Sequence, residues 1–145
     1  WRNDRIQKFA PDGSFLMAFG ESGPEDGQFN RPADVAVDKE GLIYVADWRN
    51  DRVQVFDAEG RFITEIIGDA TLSKWGITKL DANPDMKMQR DIAQGLEREK
   101  FLRGPMGVVV DDQDQVFIVD SQRNRIQIYR KIPPFFVGLY DGGRL

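Results

Sequence analysis

A chain of 145 residues is the size of a single domain and can bury roughly 70% of the surface its unfolded form exposes. Its 20 Lys and Arg against 24 Asp and Glu leave a net charge of −4, which excludes an overall pull toward phosphate backbones or anionic membranes. The absence of Cys excludes disulfides, thiolate zinc sites and a cysteine nucleophile, and the absence of His removes the commonest general base and the usual nitrogen ligand of transition metals.

In chain order, residues 5–9 and 15–19 alternate polar and apolar around a Pro11-Asp12-Gly13 turn, and predict a two-strand hairpin. A complete four-stranded meander follows. Val35-Ala36-Val37 runs into a Lys39-Glu40-Gly41 turn, residues 43–46 form a second strand, and the stretch from Asp47 to Asp51 turns into residues 52–56. Ala58-Glu59-Gly60 then leads to a fourth strand over 62–67 that stops at Gly68.

From 69 to 103 the two-residue alternation disappears. Asn83-Pro84-Asp85 reads as an N-cap, a proline at the first helical position and an acid facing the helix dipole. Met88, Ile92 and Leu96 then stand on one face, and Arg98, Lys100 and Arg103 fill the last turns before Gly104-Pro105. Within this helix Gly95 costs about 1 kcal/mol relative to Ala, tolerable if the apolar face packs on the strands. A shorter helix over 72–80 includes Trp75. Strands return over 108–110, 116–119 and 125–129, and residues 135–140 are a candidate fourth strand behind Pro133-Pro134.

These segments repeat. Trp1-Arg2-Asn3-Asp4-Arg5-Ile6-Gln7 returns as Trp48-Arg49-Asn50-Asp51-Arg52-Val53-Gln54, and again as Ser121-Gln122-Arg123-Asn124-Arg125-Ile126-Gln127. Phe29-Asn30-Arg31-Pro32-Ala33-Asp34-Val35-Ala36-Val37-Asp38, with Gly41 to Asp47 and Asn50 to Phe56, resembles the NHL repeat, and Gly104 to Asp111 with Val119-Asp120 and Asn124 to Tyr129 resembles it again. The resemblance covers residues 1–68 and 104–131. It implies an all-β fold of β-propeller blades, each a four-stranded antiparallel meander, in a family that usually closes six of them. This chain supplies about 2.5–3 blades: the end of a first over 1–29, a complete second over 30–68, a helical insertion over 69–103 and a third over 104–145. Such an arc is expected to be a fragment of a longer ring or a self-associating half.

Asp47 and Asp120 each precede a repeated arginine, Arg52 or Arg125, by five residues, which fits structural ion pairs at turns rather than catalysts. In an up-and-down meander, the turn after the second strand lies at the same end as the link to the next blade. Trp1, Arg2, Trp48, Arg49 and Arg123 are therefore expected on one face beside the insertion, where Trp and Arg suit a binding surface. Arg103 belongs to the same cluster. The carboxylates of Asp111, Asp112 and Asp114 lack EF-hand spacing and read as a solvated hairpin turn. No catalytic residue, metal ligand or cofactor site is assigned. The leading expectation is a non-enzymatic scaffold for protein interaction or ligand sensing, with a protein partner or self-association and no membrane span. One alternative, suggested by related propellers, is a metal-dependent hydrolase or lyase whose site other blades complete. Another is single-stranded RNA binding, against which the acidic balance weighs.

Overall fold

The computed structural model describes residues 3–132 and 136–139. Strands β1 (Ile6–Phe9) and β2 (Phe15–Phe19) form a hairpin, and the pair β3 (Glu21–Ser22) and β4 (Gln28–Phe29) makes a two-residue parallel contact. β5 (Pro32–Val37), β6 (Ile43–Asp47), β7 (Arg52–Phe56) and β8 (Phe62–Ile66) form one antiparallel sheet in sequence order. β9 (Pro105–Val110), β10 (Gln115–Asp120), β11 (Arg125–Ile132) and β12 (Phe136–Leu139) form the other. The fold is all-β apart from the insertion, and its sheets are propeller blades. The fourth strand of the third blade lies at 136–139, where Tyr129 faces Leu139 and Ile132 faces Phe136.

Two-residue alternation decides what each face buries. Ile43 and Val45 of β6 join Phe29 and Phe56, with Ile6, Phe19 and Phe62 packed alongside, between the β1–β2 hairpin and the second blade. Tyr44 and Ala46 point the other way. With Val53, Val55 and Ile66 they meet Leu102, Val108, Val116, Ile118 and Tyr129 of the third blade and the link into it. Every residue of β6 and β7 is consequently buried. The Phe19 and Phe56 rings lie 4.9 Å apart, close enough to add aromatic contact energy to area burial. Truncating Ile118, fully buried between the blades, to Ala is expected to cost about 3 kcal/mol.

The hairpin turns share one device. Asp12, Asp38, Asp57 and Asp111 each accept backbone N–H groups from within their own turns, replacing water with a local carboxylate.

The insertion departs from expectation in two ways. Its helices are α1 (Lys74–Asp81), capped by Ser73, and α2 (Pro84–Ile92), capped by the Asn83 side chain on the Met86 N–H. The second helix does not continue to Arg103. Gly95 adopts a left-handed φ of 76°, the chain breaks at 93–95, and Leu96–Glu99 forms a separate 3-10 turn. Nor does the apolar face pack on the blades, because Met88 and Ile92 are exposed. The two ends of the insertion instead close on each other: Leu102 N–H donates to the Ile67 carbonyl at 2.8 Å, and Ala70 N–H to the Lys100 carbonyl at 3.0 Å. Gly68 makes that closure possible, since at its φ of 97° a Cβ would stand 2.5 Å from the Leu102 nitrogen.

Candidate interaction face

The face is organised by carboxylates at the ends of the second strands. Asp47, fully buried, accepts from Asn30 N–H at 2.7 Å, Asn50 Nδ2 at 2.8 Å, Arg52 Nε at 3.1 Å and Gln54 Nε2 at 3.2 Å. Arg52 continues outward to the carbonyls of Glu25 and Gln28 at 2.7 and 3.0 Å, and Gln54 also donates to Gln28 at 2.7 Å. The group is a clamp that ties the link arriving from the preceding blade onto the second.

The third blade repeats it without the asparagine bond, since Arg123 stands where Asn50 does. Asp120, also fully buried, accepts from Arg103 N–H at 2.7 Å, Arg125 Nε at 2.7 Å and Gln127 Nε2 at 3.2 Å. Arg125 reaches the Phe101 and Lys100 carbonyls at 3.0 and 3.3 Å, so this clamp grips the last residues of the insertion. The glutamines belong to the device although the sequence reading left them out. Their signal was the Arg-x-Gln spacing, present in all three copies.

A second repeated bond joins neighbouring blades. Arg31 N–H donates to Asp4 at 2.8 Å, and Gly104 N–H donates to Asp51 at 2.7 Å. Asp4 is held below the usual carboxyl range chiefly by the Ser22 hydroxyl, with the Arg31 N–H adding to the effect. Asp51 sits in the left-handed region at φ 56°, which aims the turn at the next blade.

Trp48, half-buried, begins the 3-10 turn Trp48–Asn50. The guanidinium of Arg49 lies 5.1 Å and that of Arg31 6.0 Å from its ring centroid, within cation–π range. Its Nε1 lies within 3.0 Å of where a side chain on Gly104 would begin, and Gln122 crowds the same point. The indole therefore closes the seam between the second and third blades while Arg49 remains exposed. Arg123, in the turn Ser121–Arg123, donates to the carbonyls of Phe101 and Arg98 and so is spent on holding the insertion. Arg103 is exposed beside them. Trp1 and Arg2 lie outside the described residues.

Under the insertion, a hollow of about 260 Å³ is bounded by Leu72, Arg90, Leu96, Glu99, Lys100 and Arg125. Its charges are already matched, with Arg90 on Glu99 at 2.9 Å and Lys100 on Glu97 at 2.9 Å. At the opposite end of the blade seam, Lys131 donates to Asp38 at 2.9 Å and to Glu40, and Tyr44 donates to Asp38 at 3.3 Å. Burial pushes Asp38 up, yet the Lys131 ammonium and the Leu42 and Glu40 N–H groups outweigh it and hold it below the ordinary value. Burial pushes the Tyr129 phenol up to about 12. Among the described residues no cluster of three or more carboxylates is placed to hold a metal ion, and no helix is long and apolar enough to cross a membrane.

The NHL-repeat family model matches residues 29–56 and 102–129, each running from the buried link residue Phe29 or Leu102 through the third strand. The chain carries two NHL repeats. The two NHL matches carry both complete Asp-Arg-Gln clamps and leave the helical insertion between them. A search of curated proteins finds no match. Among solved structures, the chain is similar to the crystal structure of a protein from Lactobacillus plantarum at 11% identity and a TM-score of 0.49, over 95% of this chain and 36% of that one. It thus spans about a third of that protein's length.

Proposed function

We propose that the chain is a non-enzymatic NHL scaffold that presents a protein-interaction surface at the end where the Trp48 turn, the Arg123 turn and the insertion meet. NHL repeats commonly mediate protein interaction, and the blade limits of 1–29, 30–68, 69–103 and 104–145 are part of this reading. The observation that carries it is the exposure of the insertion. Trp75, Met88 and Ile92 are 83%, 60% and 72% exposed on an element whose ends are already closed by backbone hydrogen bonds. Apolar surface that the fold does not need for its own stability marks a docking element. Arg49 and the edge of Trp48 extend that surface, and Arg123 positions the insertion upon it.

Replacing Trp48 and Arg49 with Ala is expected to weaken partner capture at least tenfold in a cross-linking pull-down, with the far-UV spectrum unchanged. Undiminished capture by a folded variant removes these two residues from the surface.

A further inference from the structure

The two insertion helices carry exposed faces that are complementary to each other. Gly76 and Leu80 of α1 are half-buried, and Arg90 of α2 is half-buried with its guanidinium on Glu99 at 2.9 Å. About a quarter of a turn round α1 from Gly76 and Leu80, Trp75 and Lys79 stand one turn apart, with Lys74 alongside. On α2, Met88 and Ile92 stand one turn apart, flanked by Asp85 and Asp91. The exposed face of α1 is thus an aromatic ring between lysines, and that of α2 is an apolar pair between carboxylates. Lys74, Lys79 and Asp85 make no ion pair among the described residues, whereas Lys87 is already used by Asp81 at 3.1 Å.

We infer that the insertion docks on a second copy of this chain, with α1 of each copy lying antiparallel on α2 of the other. Two-fold symmetry makes both contacts the same contact. In that arrangement Trp75 of one copy covers Met88 and Ile92 of the other, Lys79 meets Asp85, and Lys74 meets Asp91. The pairing buries the apolar surface that the single chain leaves exposed, and opposite charges fix its register. An anionic membrane does not fit as well, because Asp85 and Asp91 border the Met88–Ile92 patch. The inference rests on the insertion being a docking element, and it names the partner.

The test is the solution mass of the full chain by light scattering across a concentration series. The expected result is a monomer–dimer equilibrium whose midpoint moves at least tenfold to higher concentration in Trp75→Ala. Lys79→Glu and Asp85→Lys alone are each expected to weaken the dimer, and together to restore it, because the swapped charges still face each other across the interface. Restoration separates a contact between copies from a folding defect. A monomer at every concentration, a dimer indifferent to Trp75→Ala, or single and double charge variants that behave alike would each overturn the inference. A monomer that still captures a different protein through Trp48 and Arg49 would overturn self-pairing while leaving the interaction surface standing.

Discussion

The two clamps are alike in chemistry and unlike in burial, so removing their carboxylates should not cost the same. Asp47→Ala leaves the Asn30 N–H without its acceptor and leaves an Arg52 guanidinium whose side chain is only 8% exposed. Breaking a buried pair costs about 3–5 kcal/mol, so we expect a loss near 4 kcal/mol, even though Arg52 keeps Glu65 at 3.0 Å. In Asp120→Ala the stranded Arg125 side chain is 27% exposed, and water can take over part of the lost bond. That variant should lose about 2 kcal/mol. In urea unfolding followed by tryptophan fluorescence, with a slope of about 2 kcal/mol per molar for a chain of this size, the midpoints should fall by about 2 M and 1 M respectively. Equal shifts, or a larger shift for Asp120→Ala, would refute the reasoning that solvent access grades the clamps.

Further expectations follow from the seam and the links. The Asp38–Lys131 pair sets a pH window. With the carboxyl held below its ordinary 3.8, its contribution is present above that value and lost as pH falls through the depressed value; with the ammonium held above its ordinary 10.5, its contribution is complete below 10.5 and lost as pH rises through the raised value. Lys131→Met should therefore destabilise by about 3 kcal/mol at pH 7 and much less at pH 2, measured by thermal melts at both; an equal loss at the two pH values would contradict the pairing. Gly68→Ala should cost at least about 2 kcal/mol, because both its φ and the Leu102 backbone oppose a Cβ, while Gly95→Ala, with open space around it, should cost about 1 kcal/mol from its φ alone. Chemical denaturation of the two variants side by side checks the order.

The strands were legible because alternation and the returning Trp-Arg-Asn-Asp-Arg run agreed with each other. β7 shows where that legibility ends. Arg52-Val53-Gln54-Val55-Phe56 reads as a strand with one wet face, but the link from the preceding blade covers that face, so Arg52 and Gln54 are buried and hydrogen-bonded. Alternation identifies the two faces of a strand and is silent on what covers the second. The insertion failed differently. Met88, Ile92 and Leu96 are spaced for one continuous helix, yet Gly95 is more stable in the left-handed region, where it starts a new turn, than inside a helix where it costs free energy. Of the proposed interaction face, repetition singled out Trp48, Arg49 and Arg123, but it does not separate Arg49, exposed beside the indole, from Arg123, held by two carbonyls.

The division of labour between blades and insertion can be measured most directly by replacing residues 69–101 with the short link of residues 21–28, which joins the first blade to the second. If the blades are the fold and the insertion is an attachment that docks, amides of β6, β7, β10 and β11 will keep their slow hydrogen exchange while self-association and partner capture are lost. Loss of protection in those strands, or association that survives the replacement, would contradict it.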